Sequence, residues 1–518
     1  MSAIGIDLGT TYSAAAVSID GLSARILPNQ EGHATTPSVV FFPFLGEGDD
    51  EPLVGDTALN SAASPENLVR FIKRQMGDRD YLYTSPNGNN YHPEEISAII
   101  LKCIKQYAEL ALGEPVTDAV ITVPAYFDDA RRTATKQAGK LAGFNVLQVF
   151  NEPTAAAIAY GLTSNNNGRV LVYDLGGGTF DITLMNIHDG VFDVVATDGD
   201  ANLGGFDFDN ALADFIIQNL ARQGYEVDEY DDALNAQIRD KAENLKRALT
   251  NVKQSTAIFT IEGKTYRVRV TRQQFEEATA TLLKRTQERL EIMMENQGVK
   301  WSDIDYLLMI GGSTRMPMVR EMLEKLSGRT LKHEINPDEA VALGAGVYAH
   351  QLLEQGSGDM AASGAAGTAG TSASSKTIVI SDVTSQSLGV ICSDVNTGRE
   401  MNSIIIPNNT KIPAKASEVY YTVVPNQTAI RVRVTEGNDT ELEYVKVIGE
   451  KQLQIPPHPQ GAPVRVTFSY DIDQTVFVEV EDLTDGCSLG TFDIDRASNL
   501  SEQDIAQLTV KMNSMNVE

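Results

Sequence analysis

A short glycine-rich turn that occurs twice in the chain constrains its fold more than any other feature. Residues 174–181 read Asp-Leu-Gly-Gly-Gly-Thr-Phe-Asp, and they follow an apolar run whose β-branched content predicts a buried strand ending at Asp174. Successive glycines let the backbone turn tightly and bring its N–H groups against an anion. Residues 6–13, Ile-Asp-Leu-Gly-Thr-Thr-Tyr-Ser, repeat the pattern with Asp7 at the corresponding place. A duplicated strand–turn–strand predicts two similar lobes that face each other across a cleft.

The side chains of both turns suit a nucleotide phosphate with its metal ion. Asp174, at the predicted strand end, offers a carboxylate to a hydrated Mg²⁺, and Asp7 offers a second one from the opposite lobe. Thr179 and Asp181 add a hydroxyl and a further carboxylate just beyond the turn. A glycine triplet between aspartates is also typical of a plain hairpin turn, so the phosphate hypothesis depends on the repeat.

Charge and cysteine content narrow the class of protein. The 42 basic and 70 acidic residues give a net charge of −28 without any basic run, which argues against nucleic acid and anionic membrane as partners. No apolar segment reaches membrane-spanning length and no signal-peptide pattern opens the chain, so we expect a cytoplasmic protein. Cys103, Cys392 and Cys487 are far apart, which predicts buried, inert thiols and no disulfide framework.

The pattern along the chain changes twice. Residues 1–355 mix strand-like and helix-like segments, as α/β proteins do. Residues 356–381 are dominated by Gly, Ala, Ser and Thr and predict a flexible linker. Residues 382–500 alternate apolar and polar side chains, which predicts a half-buried antiparallel β domain. A short helical segment over residues 501–518 ends the sequence.

Two charged residues of the first stretch are candidates for the cleft. Lys73 lies in a helical context, where a solvated surface lysine is the alternative. Glu152 stands before Pro153 and a run of alanines, a pattern that suits the first turn of a tightly packed helix. The alternative is that its carboxylate only interacts favourably with the positive end of the helix dipole.

Two further motifs suit the nucleoside part of a nucleotide. Residues 310–315 leave a predicted strand through two glycines and open a helix, a geometry that lets the backbone approach a ribose or an adenine. The other motif is a set of residues with the spacing of one helix face, which in most proteins is only solvated. They are Glu243, Lys246, Arg247 and Thr250.

Together these motifs resemble the ATPase domain of the seventy-kilodalton heat-shock chaperones, the DnaK-type family within the actin and sugar-kinase superfamily. The resemblance covers essentially residues 1–350 and rests on several segments. They are residues 6–13, 123–127, 151–161, 174–181, 203–205, 310–317 and 335–341. It implies a two-lobed, actin-like ATPase domain of α/β class that binds ATP or ADP, Mg²⁺ and K⁺ and hydrolyses ATP slowly.

The resemblance also implies roles for individual residues. Asp7 and Asp174 would hold Mg²⁺ through water molecules. Lys73, Glu152 and Asp181 would position the attacking water. Thr179 would be a further catalytic residue, in the turn at residues 176–179 that binds the phosphates. Residues that bind the nucleotide would be Thr10, Thr11, Tyr12, Gly176, Gly177, Gly178, Gly204, Gly205, Glu243, Lys246, Arg247, Thr250, Gly311, Gly312, Ser313, Arg315 and Asp338.

Residues 382–500 resemble the β-sandwich peptide-binding domain of the same chaperones, mainly through residues 382–389, 408–413 and 468–473. An apolar groove beside exposed strand edges would bind an extended peptide through main-chain hydrogen bonds. The same alternating residues would also fit a role in the sandwich core alone. The residues that would line the groove are Val390, Tyr420, Val423, Ile430 and Val432.

The chain departs from the family pattern at four places. Only Ile378-Val-Ile380 remains of the usual acidic-leucine linker, which predicts weakened coupling between the domains. Ser393 stands where the family has a methionine that arches over the peptide, and Gln148 replaces an arginine that contacts the J-domain cochaperone. Little follows Ser501, so the helical lid is almost absent and we expect fast peptide exchange.

We therefore expect an ATP-dependent chaperone that binds extended apolar segments of unfolded polypeptides weakly and takes part in protein folding and the stress response. The resemblance implies a J-domain cochaperone and a nucleotide-exchange factor as partners. The alternative is a nucleotide-regulated scaffold whose β domain holds one dedicated partner without refolding activity. A phosphotransferase with a small-molecule acceptor is a third possibility.

Overall fold

The computed structural model describes residues 2–46, 50–61, 65–164, 167–331, 336–361, 378–394, 397–471, 475–493 and 499–518. The first lobe is built around a sheet with the strand order β11-β10-β1-β2-β3, in which β4 also pairs with β2. Its elements are β1 (Ser2–Asp7), β2 (Tyr12–Ser18), β3 (Ala24–Leu27), β4 (Thr36–Pro37), β5 (Val39–Phe41), β6 (Leu53–Val54), α1 (Gly55–Ser61), β7 (Leu68–Arg70), β8 (Tyr83–Thr84), β9 (Asn90–Tyr91), α2 (Pro93–Leu112), β10 (Val116–Val123), α3 (Asp129–Leu141), β11 (Asn145–Asn151) and α4 (Glu152–Ser164).

The second lobe is built around a sheet with the order β17-β12-β13-β14-β18. β15 and β16 form a hairpin. The hairpin, the helices of this lobe and one face of its sheet share an apolar core that is distinct from the core of the first lobe. The elements of this part of the chain are, in order, β12 (Gly168–Leu175), β13 (Phe180–His188), β14 (Val191–Asp200), α5 (Gly205–Arg222), α6 (Asp232–Asn251), β15 (Gln254–Ile261), β16 (Lys264–Thr271), α7 (Arg272–Asn296), β17 (Tyr306–Ile310), α8 (Pro317–Ser327), α9 (Ala340–Ala361) and β18 (Val379–Ser381).

The two glycine-rich turns join equivalent hairpins in the two lobes. β1 and β2 pair antiparallel around residues 8–11, and β12 and β13 pair antiparallel around residues 176–179. Each hairpin also pairs with a parallel neighbour, β1 with β10 and β12 with β17. This repeated topology places the two turns opposite each other between the lobes.

Helices α4 and α9 pack between the two sheets and join the lobes. Their shared core contains Ala155, Ile158 and Ala345, together with residues of both sheets. The helices approach so closely that a Cβ atom at Gly344 would lie 1.7 Å from the carbonyl oxygen of Ala155. The alanine run after Glu152 therefore forms the tightly packed helix that the sequence predicts.

The C-terminal β region consists of two antiparallel sheets, with the orders β20-β19-β22-β23 and β21-β24-β25-β26. The two sheets share one apolar core that includes Phe468 and Val478. Strands and the final helix are β19 (Leu388–Ser393), β20 (Glu400–Ile406), β21 (Ala414–Tyr421), β22 (Gln427–Glu436), β23 (Lys446–His458), β24 (Pro463–Tyr470), β25 (Val476–Asp482), β26 (Cys487–Asp493) and α10 (Glu502–Ser514).

The segment predicted as a flexible linker is partly regular. Residues 356–361 continue α9, residues 362–377 lie outside the described residues, and β18 pairs in parallel with the start of β14. Strand β18 contains the Val379 and Ile380 that remain of the family linker. The β region is therefore tied to the sheet of the second lobe by main-chain pairing.

Helix α10 lies against the first lobe. It begins at a capping box in which Ser501 and Asp504 exchange hydrogen bonds, and its Ile505 and Met512 are buried in the first-lobe core beside α2 and α3. After the helix, the backbone of Glu518 pairs with β6, because the Val54 N–H donates to the Glu518 carbonyl over 2.7 Å. The C-terminal segment 499–518 thus packs on the first lobe.

The described residues include no helix long and apolar enough to cross a membrane.

Cys103 is buried, as expected from the sequence, and burial raises the pKa of its thiol to about 12. The same expectation is wrong for Cys392, which is half-buried, and for Cys487, which is exposed. Cys487 opens β26, which is the last strand of its sheet.

Candidate functional site

A cavity of about 540 Å³ lies between the lobes, and both glycine-rich turns contribute to its walls. Most of the predicted site residues line it. They are Asp7, Thr10, Thr11, Tyr12, Lys73, Glu152, Asp174, Gly176, Gly177, Thr179, Gly205, Glu243, Lys246, Arg247, Thr250, Gly311, Gly312, Ser313, Arg315 and Asp338. Gly178, Asp181 and Gly204 lie behind this wall, where all three are buried.

The glycines of the second-lobe turn are required by close contacts. A Cβ atom at Gly177 would lie 2.0 Å from the Thr11 hydroxyl oxygen of the first lobe, and one at Gly204 would lie 2.5 Å from the Gly178 nitrogen. The start of α5 supports the turn, since the Gly205 N–H donates to the Gly176 carbonyl over 2.9 Å. The backbone of both turns is thereby held against the cavity, as an anion-binding cradle requires.

Lys73 and Glu152 form a buried ion pair on the first-lobe side. The Lys73 Nζ atom donates to Glu152 Oε1 over 2.5 Å, and the two residues are only 4% and 8% exposed. Lys73 lies in a 3₁₀ turn, Ile72–Gln75, and not in an α-helix. Its burial excludes the solvated surface lysine that the sequence left open.

Three aspartates converge beside this pair. Removal from solvent, reinforced by the charge of Glu152, raises the pKa of Asp7 and of Asp181 to about 7, and the same causes raise the pKa of Asp174 well above its ordinary value. Asp181 is fixed by the Tyr126 N–H, which donates to its carboxylate over 2.8 Å. Clustered carboxylates in such an environment favour a bound cation, so the donor set fits Mg²⁺.

The predicted charged face of α6 lines the opposite end of the cavity. Lys246 donates to Asp209 over 2.6 Å and to the Gly205 carbonyl over 3.0 Å. Arg247 donates to the Tyr12 hydroxyl of the first lobe over 2.7 Å and to Glu243 over 2.6 Å. This face is therefore partly buried and in contact with the other lobe, unlike a merely solvated one.

Residues 310–315 form the remaining wall. Gly311 has a φ of 80°, and the chain then enters a 3₁₀ turn, Gly312–Arg315, before α8 begins at Pro317. The Ser313 hydroxyl donates to the Gly176 carbonyl over 2.9 Å, and Arg315 pairs with Asp338 over 2.6 Å. The predicted helix opening is thus preceded by a tighter turn that joins the cavity wall to the glycine turn.

The sequence analysis missed several residues of the cavity wall, among them Phe71, Phe206 and Asp209. Asp209 is 8% exposed, burial raises its pKa to about 6, and its Oδ1 atom has no hydrogen-bond partner among the described residues. It lies one helical turn after Gly205, so the spacing from the second glycine turn was an available signal. An unpaired buried oxygen aimed at this cavity suits a polar ligand.

The predicted groove residues of the β region fall into three environments. Val390 and Val432 are 4% and 6% exposed and belong to the core between the sheets. Tyr420 and Ile430 pack partly against that core, whereas Val423 is 58% exposed. The structure thus gives Val390 and Val432 the core position that the alternation also allowed, and a peptide-binding role for the set stays a prediction.

Polar contacts hold the β region against both lobes. Asn151 at the end of β11 donates to Asp382 over 2.7 Å and accepts from the buried Arg132 over 2.6 Å. Asn409 accepts from the Thr197 N–H of β14 over 2.8 Å, and Lys411 donates to the carbonyl of the nearby Val194. The segment 382–413 therefore contacts both lobes directly.

Gln148, which stands where the family pattern has arginine, lies on β11 of the first lobe. It accepts a hydrogen bond from the Tyr348 hydroxyl of α9 over 2.9 Å. Ser393 ends β19 and is exposed, directly before the connection to β20. Gln148 thus takes part in a contact between β11 and α9, whereas Ser393 lies at the exposed end of a strand.

Comparison with known protein families gives a match over nearly the whole chain. The family model described as Hsp70 protein matches residues 3–518. The match includes the cavity between the lobes, the β region and the C-terminal segment.

Proposed function

The chain belongs to the Hsp70 family, a family of ATP-dependent chaperones, and on that premise we propose that it hydrolyses ATP to ADP and phosphate and binds extended apolar segments of unfolded polypeptides. Residues 1–355 would form an actin-like ATPase domain, residues 356–381 a linker, residues 382–500 a β-sandwich peptide-binding domain and residues 501–518 a helical remnant. Members of the family bind ATP or ADP with Mg²⁺; K⁺ as a further ion is part of our proposal.

The observation that carries the proposal is the buried Lys73–Glu152 ion pair beside Asp7 and Asp174 in the cleft, with Asp181 buried behind the cavity wall. Hydrolysis forms a bond from the water oxygen to the terminal phosphorus and breaks the bond from that phosphorus to the bridging oxygen of ADP. Such a transfer needs in-line positioning and charge neutralisation more than covalent catalysis. The buried Lys73–Glu152 pair, held on a fixed backbone, can supply both the positioning and the charge neutralisation.

Each group has a distinct task in this proposal. Asp7 and Asp174 would hold Mg²⁺, which when bound neutralises charge on the phosphate oxygens. Lys73 orients the terminal phosphate, while Glu152 keeps the lysine side chain in place. Asp181, buried directly behind the cavity wall, helps Lys73 and Glu152 to position the attacking water, whose proton leaves with the phosphate product. Thr179 and the glycine N–H groups bind phosphate oxygens.

The nucleoside would lie between α6 and the turn at residues 311–315. Glu243, Lys246 and Thr250 offer polar groups to the ribose, and the Gly311–Gly312 backbone leaves room for the flat base. Arg315 and Asp338, paired over 2.6 Å, close the same side of the cavity. Asp209 adds an acceptor that the sequence did not reveal.

For the β region, support comes from exposed apolar side chains at the connection of β21 to β22. Tyr421, Val423 and Val424 are 63%, 58% and 50% exposed, which is unusual for neighbouring residues of this type. We propose that they and the predicted groove residues contact client polypeptides. A J-domain cochaperone, a nucleotide-exchange factor, a role in the stress response and a cytoplasmic location complete the proposal.

The test of the ATPase is single-turnover hydrolysis of ATP by the full chain, compared with its Lys73→Ala variant. We expect the substitution to slow hydrolysis by at least about 100-fold, because it removes a fixed charge from the transition state. Lys284→Ala is the matched control, since Lys284 is an exposed lysine on α7 in a surface ion pair. Equal rates for all three proteins would contradict the proposed chemistry.

The test of the chaperone role adds a short Leu-rich peptide to the same assay. Acceleration of hydrolysis by the peptide supports communication between the β region and the cleft. Hydrolysis that ignores every unrelated apolar peptide, together with saturable binding of one folded partner, would favour the scaffold alternative. Transfer of labelled phosphate to an acceptor other than water would favour a phosphotransferase.

A further inference from the structure

Two aromatic rings from opposite lobes meet at the wall of the cavity. Phe71 follows β7 of the first lobe, and Phe206 lies in the first turn of α5 in the second lobe. Their ring centroids are 4.6 Å apart at an interplanar angle of 55°. This tilted arrangement is one that aromatic pairs prefer, and both rings face the proposed nucleotide site.

Arg74 reinforces the contact from the first lobe. Its guanidinium carbon lies 4.9 Å from the centroid of Phe206, and its NH1 atom is 3.3 Å from Asp207. The side chains of Arg74 and Asp207 are only 14% and 22% exposed, so solvent screens their attraction weakly. Asp207 also accepts from the Gly204 N–H over 2.8 Å, which connects the contact to the phosphate-binding turn.

Phe71 has an unusual backbone conformation at the contact between the two rings. Phe71 has a φ of 58°, a left-handed conformation that is unfavourable for a bulky side chain. The strained residue directly precedes the 3₁₀ turn that carries Lys73 and Arg74. One short segment thus presents the Phe71 ring, the Lys73 ammonium and the Arg74 guanidinium to the cleft.

A second ion pair crosses between the lobes nearby. Arg70, the last residue of β7, pairs with Asp240 of α6 over 2.9 Å. The lobes are joined permanently by the packing of α4 on α9, whereas these side-chain contacts can separate without breaking the chain's main cores. Rotation of the lobes away from each other at the cleft must break the contacts of Phe71 and Arg74.

We propose that Phe71, Arg74, Phe206 and Asp207 form a cross-lobe clasp that limits the rate at which bound nucleotide leaves the cleft. The clasp rests on the proposed function, because it needs a nucleotide between the lobes. It acts on release, since its atoms contact the other lobe and not the carboxylates that position water. Its loss opens the cleft more often without removing a group that takes part in hydrolysis.

The experiment measures dissociation of a fluorescent N-methylanthraniloyl-ADP from the full chain after addition of excess unlabelled ADP. We expect Phe206→Ala to speed release by about tenfold, because it removes both the ring pair and the cation–π contact with Arg74. Phe71→Ala removes only the ring pair and should speed release by about threefold. Phe206→Tyr, which keeps the ring, should release the probe at nearly the original rate. Because the rings act on each other, the double alanine variant should be little faster than the faster single one.

Tyr225→Ala is the matched control, since Tyr225 forms a tilted pair with Tyr266 inside the second lobe, 5.5 Å between centroids. Unchanged release in the Phe71 and Phe206 variants, or equal acceleration by Tyr225→Ala, would overturn the clasp while leaving nucleotide binding intact. Multiplicative acceleration in the double variant would also overturn it. If the unmodified protein fails to bind the probe, the proposed function fails, and the clasp with it.

Discussion

The Glu94 carboxyl shows what burial does to a single residue of this chain. It lies in the first turn of α2, is 3% exposed, and burial raises its pKa to about 7, an effect to which Glu95 and Asp78 add and which Arg79 opposes. Because the folded-state pKa exceeds the unfolded one, the protonated form is the stabilising one. The stability that this group contributes is present below about pH 4.5 and is lost as the pH rises through 7.

Glu94→Gln should therefore stabilise the first lobe at pH 8 by about 1–3 kcal/mol and change little at pH 4. The measurement is the thermal unfolding midpoint at the two pH values. Glu229→Gln, at an exposed position between α5 and α6, is the control, and it should shift neither midpoint. A shift of equal size at both pH values would contradict the assignment of the pKa to Glu94.

Single residues also show which parts of the site can be predicted from sequence patterns and which cannot. Asp7 and Asp174 could be placed opposite each other from the sequence, because each lies within the last two residues of a strand that leads into its own glycine turn. Phe71 and Phe206 could not, since nothing local marks a contact between residues so far apart in the chain. The alternation around Val390 and Val432 predicts which residues share a face, but the packing of the second sheet decides that this face is the core.

The position of helix α10 is set by contacts with the first lobe that its own sequence does not predict. Lys102 of α2 donates to the carbonyls of Met512 and Met515 over 2.6 and 2.7 Å, which neutralises the C-terminal end of the helix. Lys511 donates to Glu95 over 2.8 Å and lies 3.9 Å above the Tyr91 ring. A capping box predicts that this helix forms, whereas only the first-lobe surface determines where it lies.

Lys102→Ala should loosen the segment 499–518 from the first lobe. Two charge-assisted hydrogen bonds are lost, so we expect amide hydrogen exchange in this segment to accelerate by about tenfold. Lys105→Ala is the control on the same helix, because Lys105 donates to the Gly143 carbonyl and not to the C-terminal segment. Equal exchange in both variants would mean that the remaining contacts, among them the Lys511–Glu95 pair and the buried apolar residues, hold α10 without Lys102.

For the whole molecule, the arrangement of the β region on the two lobes depends on a few polar side chains. Asn151 connects Arg132 to Asp382, and Lys446 of β23 pairs with Asp128 at the start of α3 over 3.3 Å. Sequence patterns predicted two lobes, a connecting segment and an antiparallel β region. They could not predict this arrangement, because it rests on contacts between residues that are hundreds of positions apart.

Asn151→Ala should reduce the population with the β region docked by about tenfold, since Asp382 loses its amide donor. The measurement is the distance between a label on the exposed Cys487 and one on the first lobe, by double electron–electron resonance. Asn219→Ala, which removes a hydrogen bond within α5 over 2.8 Å, is the control. An unchanged distance distribution would assign docking to the remaining contacts.

Strand β14 would border its sheet without β18 and the segment around Asn409 and Lys411. β18 covers residues 191–193, and Asn409 and Lys411 satisfy backbone groups of Thr197 and Val194. A bare strand at the border of a sheet is a template for pairing with another molecule. Whenever the β region leaves the lobes, the protein therefore gains a surface for self-association, and its tendency to aggregate becomes tied to the contacts that keep it closed.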